Sequence, residues 1–183
     1  IGLMVIGIAV AAIANTGVLE RTLTAVTIGN HKLTAAELNY YYLDTVNNTM
    51  SSNSMMSYMV TSGTPLDEQE YLGEGFDTWA DYFLDTAITT ARNTYAIYDE
   101  AVAKGYTLSE EEQSQVDTAL SNMSAYASIY GYSSASAMLR ANYGRGCNES
   151  SYREYLEVQQ LASSYANKYM NDLDSVSYTH LTL

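Results

Sequence analysis

The sequence is poor both in residues that interrupt helices and in residues that staple folds. One proline and 11 glycines occur among 183 residues, where about 5% proline alone is usual. So few turn formers exclude a turn-rich β fold and predict long, uninterrupted helices. A lone cysteine, Cys147, excludes an intrachain disulfide, a thiolate-built zinc site and a CxxC redox motif. Positive charge is equally scarce. Eight Lys and Arg face 21 Asp and Glu, a net charge of −13, and that excess repels phosphate backbones and excludes nucleic acid as a partner. What the chain does have is tyrosine: 18, against two phenylalanines and one tryptophan. Hydrophobic residues make up 47%, enough to build a core and to exclude compositional disorder.

The two ends stand apart from the rest. Ile1 to Leu19 carries no charge, and a helix of that length would rise roughly 28 Å at about 1.5 Å per residue, close to the ~30 Å hydrocarbon layer. Residues 1–19 are therefore expected to be a transmembrane anchor or an export signal. Ala12-Ile13-Ala14 fits signal cleavage, whereas the continuation into Val18 and Leu19 fits a retained single-pass span. Either places the acidic domain, residues 20–175, on the extracytoplasmic side of the cell membrane. At the other end, Val176 to Leu183 (VSYTHLTL) resembles the translation of an adapter used in DNA library preparation. Residues 176–183 are expected to be a non-native tail on a chain interrupted near Ser175.

Between these ends, Thr24 to Gly29 alternates β-branched residues up to a glycine and predicts one short strand. Thr34 and Glu37 form a capping box that opens a first helix along Leu38, Tyr41, Tyr42, Thr45 and Val46. That helix weakens over Asn47 to Ser57 and stops at Gly63-Thr64-Pro65. Leu66 to Gly75 reads as a connecting loop. Thr78 and Asp81 open a second helix with the stripe Trp79, Phe83, Ala87, Ala91, Thr94, Tyr98 and Ala101, stopped by Lys104-Gly105. Ser109 to Glu112 opens a third, with Val116, Leu120, Met123, Ala127 and Tyr130 inward. A short helix from Ser134 to Tyr143 stops at Gly144-Arg145-Gly146, and a last one runs from Glu149 to Leu173. The expected fold class is all-α: about five helices plus an N-terminal membrane helix and one short β-strand.

The order Val26-Thr27-Ile28-Gly29, Leu33-Thr34, Glu37-Leu38, then Ala101 to Glu111, then Tyr143-Gly144-Arg145-Gly146 and a Tyr/Leu-rich helix resembles the N-terminal region of extracytoplasmic peptidyl-prolyl isomerases of the SurA/PrsA foldase group. The segments Pro65 to Tyr71 and Thr78 to Phe83 resemble membrane-anchored, tyrosine-rich versions from gut Firmicutes. The resemblance covers most of Ala25 to Leu173. It implies a SurA N-terminal or trigger-factor-like helical chaperone domain that cradles non-native polypeptide. Prolyl isomerisation in that group belongs to a separate parvulin domain, and no parvulin-like segment occurs in this sequence.

Independent chemistry is sparse. His31 reads as a solvated turn residue, Glu110 and Glu111 as helix-start acids, and Gly144-Arg145-Gly146 as a helix stop, since it lacks the preceding strand and further glycine of a dinucleotide fingerprint. No catalytic residue, metal site or cofactor is expected. Tyrosine carries the functional expectation, because its ring offers apolar contact and its hydroxyl a hydrogen bond without demanding one partner shape. Tyr82, Tyr98, Tyr152 and Tyr169 fall on inward stripes, whereas Tyr40, Tyr126, Tyr132 and Tyr143 lie off the stripes or near helix ends and are the expected client contacts. The expected function is a membrane-anchored chaperone or foldase module that binds unfolded or partly folded exported polypeptides. The alternative is a non-catalytic helical module docking one specific cell-envelope protein.

Overall fold

The computed structural model describes residues 17–180, leaving aside the side chains of Ser54 and of residues 170–180. Helix accounts for 70% of them, as the scarcity of proline requires. The elements are α1 (Val18–Thr22), β1 (Thr24–Ile28), β2 (His31–Thr34), α2 (Ala35–Ser52), α3 (Ser54–Met59), a 3-10 turn (Leu66–Glu68), α4 (Trp79–Ala103), α5 (Glu110–Ile129), α6 (Ala135–Tyr143) and α7 (Glu149–His180).

This corrects the expected architecture of five helices, one strand and a membrane helix. Seven helices are present among the described residues, and the single strand is half of an antiparallel hairpin pairing Ile28 with His31, Thr27 with Lys32 and Val26 with Leu33. The two-residue turn Gly29-Asn30 closes it with φ 57° at Gly29, the positive value that a II′ hairpin demands at its first central position. No helix among the described residues is long and apolar enough to cross a membrane. Gly17 takes φ 71° in the left-handed region and Val18 begins a five-residue helix. The rest of the expected anchor, residues 1–16, lies outside the described residues.

The chain divides into two compact units. In the first, residues 17–92 and Arg140–Cys147, Thr34 and Glu37 cap α2 reciprocally: the Thr34 amide donates to Glu37 Oε2 at 2.6 Å and the Glu37 amide to Thr34 Oγ1 at 3.3 Å. The predicted weakening of the first helix is a break at Asn53, whose Oδ1 accepts from the Met56 amide at 3.2 Å and starts α3. The segment expected to be a plain loop is ordered instead. Gln69 is buried, its Oε1 accepting from the Thr61 amide at 2.7 Å and its Nε2 donating to Thr61 O at 3.1 Å and Thr64 O at 2.8 Å. One side-chain amide thus replaces the regular backbone partners that a loop lacks. Ile28, Leu33, Ala36, Tyr40, Trp79, Phe83 and Ala87 are buried in this unit.

The second unit comprises Asn93–Leu139 and the chain from Asn148 onward. Its portion of α4 ends in a Schellman closure, with Tyr106 N donating to Ala101 O at 2.9 Å and Gly105 N to Val102 O at 2.9 Å around Gly105 at φ 72°. Ser109 and Glu112 then cap α5 as a second full box. Val116, Leu120 and Ala127 of α5 are buried, as are Leu161, Ala162 and Tyr165 of α7, and the two helices pack together. Tyr130 corrects its expected inward place: it is the C-cap of α5 and 72% exposed. The backbone of α7 continues past the expected end at Leu173 to His180. No glycine or proline follows Gly146 to stop it.

Candidate functional site

Three surfaces of the second unit combine shape with chemistry. The first is a groove of about 340 Å³ lined by Gln115, Val116 and Ala119 of α5 and by Leu156, Gln159, Gln160 and Ser163 of α7. Helical spacing builds it: residues three and four apart share a face, so Val116, Ala119 and Leu156 contribute the apolar lining and the glutamines the amides. Gln160 Nε2 donates to Gln115 Oε1 at 3.3 Å and to Ser164 Oγ at 3.3 Å. A primary amide has two donors and an acceptor carbonyl, and so matches a peptide backbone in whichever direction that backbone runs.

The second surface is the exposed end of α5, where Tyr126, Ile129 and Tyr130 are 53%, 74% and 72% exposed. Their i, i+3, i+4 spacing puts them on one face. The third is a pocket of about 240 Å³ lined by Lys104, Tyr106, Tyr165, Lys168 and Tyr169. The Lys104 ammonium lies 5.4 Å from the Tyr165 ring centre and 5.6 Å from that of Tyr169, and Lys168 lies 5.2 Å from Tyr106, all within cation–π range. Glu100 accepts from Lys104 at 2.8 Å and from the Tyr165 hydroxyl at 3.0 Å. Those hydrogen bonds, that from Lys104 first, hold the Glu100 carboxyl below its usual range and raise the Lys104 ammonium above its own.

The four expected client contacts are not brought together. Tyr40 is fully buried in the first unit with its ring centre 5.1 Å from that of Tyr143. Tyr143 is half-buried there, donating from its hydroxyl to Asp44 at 3.2 Å while its carbonyl accepts from Asn39 at 3.0 Å. Tyr132 is half-buried beyond the Gly131 turn of the second unit, and Tyr126 is the exposed member. Tyr169, expected on the packed stripe, is 49% exposed and lines the lysine pocket. Sequence reasoning missed the glutamine groove and the lysine pocket. The one local signal was the i, i+3, i+4 set Tyr165, Lys168 and Tyr169; what it faces is set more than sixty residues away.

Cys147 is buried, its thiol pushed up by desolvation with a smaller opposing effect from Tyr40, and its Sγ lies 3.5 Å from the Ala36 carbonyl. That environment suppresses the thiolate. His31 is the first residue of β2 rather than a turn residue. Among the described residues no group of three or more His, Cys, Asp or Glu is arranged to hold a metal ion. No family model, curated protein or solved structure matches the chain.

Proposed function

We propose that the chain is a polypeptide-binding module of the chaperone kind, acting on unfolded or partly folded exported proteins. The groove between α5 and α7 carries this reading. An apolar lining of Val116, Ala119 and Leu156 takes one client side chain, while the amides of Gln115 and Gln159 exchange hydrogen bonds with the client backbone. Backbone recognition of that kind does not depend on client sequence. The exposed Tyr126, Ile129 and Tyr130 add apolar contact that tolerates many shapes. A net charge of −13 keeps copies of the chain apart and attracts basic clients. The resemblance of Ala25 to Leu173 to the SurA/PrsA foldase group and the uncharged apolar stretch before Glu20 support an extracytoplasmic setting.

Two variants test it. Ala119→Gln fills the groove without adding charge or a poor helix former. The triple change Tyr126→Ser, Ile129→Ser, Tyr130→Ser removes the exposed face. Each is expected to lower suppression of aggregation of several unrelated unfolded proteins by about tenfold, the effect of losing roughly 1.4 kcal/mol of contact, while helix content by circular dichroism is unchanged. Unaltered suppression by both variants, or suppression confined to a single client, would contradict the reading.

A further inference from the structure

The lysine pocket has a charge pattern that the polypeptide-binding reading does not use. Lys32, Lys104 and Lys168 are the only lysines of this acidic chain, and two of them converge on one concavity of about 240 Å³. Lys104 spends its charge on Glu100, 2.8 Å away. Lys168 has no ion-pair partner among the described residues and stands 5.2 Å from the Tyr106 ring centre. The pocket thus sets the Lys168 ammonium beside three aromatic rings, with Tyr106 edge-on to Tyr165 at 5.7 Å and Tyr165 stacked on Tyr169 at 6.4 Å. The Tyr165 hydroxyl is committed to Glu100 at 3.0 Å, so the Tyr165 side chain turns its ring rather than its polar tip to a ligand.

We propose that this pocket binds a single carboxylate carried on an apolar or aromatic stem, with Lys168 as its charge partner and the rings of Tyr106, Tyr165 and Tyr169 around the stem. The single charge of Lys168 matches a monoanion. A phosphate dianion would leave negative charge unbalanced in a protein already at −13. The volume lies just under the roughly 300–1,000 Å³ of sites for drug-sized ligands and admits one side chain or one small acid. The same chemistry occurs in a free aryl-alkyl acid and in the C-terminal residue of a peptide. The inference is independent of the groove between α5 and α7.

The test is a titration of the full chain with 3-phenylpropanoate, its neutral amide and phenyl phosphate, followed by NMR at the Lys104, Tyr106, Lys168 and Tyr169 amides. A second arm uses a short peptide ending in Phe as the free acid and as the amide. The free acids are expected to shift these signals and to bind at least tenfold tighter than the amides. Lys168→Gln should remove that preference and Lys168→Arg retain it, with thermal midpoints near that of the parent for both. Binding by the small acid alone assigns the site to free acids; binding by the peptide acid as well assigns it also to chain ends. Equal binding of acid and amide, tighter binding of phenyl phosphate, or a preference that survives Lys168→Gln would overturn the proposal.

Discussion

Replacing Trp79 with alanine is expected to destabilise the first unit by about 3–5 kcal/mol, the usual cost of emptying a large aromatic site. The effect should be large because the ring holds a loop as well as a helix. Trp79 is 2% exposed, with ring centres 4.8 Å from Tyr71 and 5.8 Å from both Tyr82 and Phe83. Tyr71 in turn stacks on Tyr82 at 4.8 Å and meets Phe76 at 5.7 Å. The backbone closes the same region: Trp79 N donates to Gln69 O at 3.0 Å and Tyr71 N to Asp77 O at 3.0 Å. Removing the indole leaves Tyr71 without its closest edge-to-face partner and uncouples residues 66–78 from α4. Urea unfolding followed by circular dichroism reads the stability, since the variant has lost the chain's tryptophan. Amide exchange over residues 66–78 reads the loop. Trp79→Phe should cost far less, and a loss under about 1 kcal/mol for the alanine variant would show that the cluster does not hold this segment.

Gly146→Ala is expected to destabilise the first unit by about 2–4 kcal/mol. Two independent penalties meet there. The residue sits at φ 95°, and a Cβ would lie 2.8 Å from the Glu20 Cβ and 3.1 Å from the Ala36 Cβ. Both neighbours are short, stiff parts of helices that cannot swing aside. Gly105 supplies the contrast: its φ is 72° but a Cβ there meets nothing within 4 Å, so Gly105→Ala pays only the conformational cost of about 1–2 kcal/mol. Thermal or urea unfolding of the two variants side by side should rank Gly146→Ala well below Gly105→Ala. The reverse ranking would mean that the close approach beside α1 and α2 relaxes freely.

These residues also show which features a sequence carries on its face. Helix starts were legible because a capping box is closed within four residues: Thr34 with Glu37, Thr78 with Asp81 and Ser109 with Glu112 all make the expected reciprocal bonds. Helix ends at Lys104-Gly105 and Gly131 were legible for the same reason. The hairpin was half seen, although Gly29-Asn30 is itself a two-residue turn signal and could have supplied the second strand. Long-range pairing was not legible. Tyr40 looked off-stripe, yet α2 buries Ala36, Leu38, Tyr40 and Tyr41, a face wider than one stripe, because Tyr143 covers it from a hundred residues away. Gln69 looked like loop polarity until its three backbone partners were placed. Lys104 read as a helix stop, and only the approach of α7 gives it Tyr165 and Tyr169 as neighbours.

The most direct test of polypeptide binding is a fluorescence-anisotropy titration of the full chain against one labelled protein in two states, permanently unfolded by reduction and carboxymethylation, and native. Binding to the unfolded state, at least tenfold tighter than to the native one and repeated with a second client of unrelated sequence, is the predicted result. Equal affinity for both states, or no measurable binding to either unfolded client, would contradict a module built to take hold of unfolded chains.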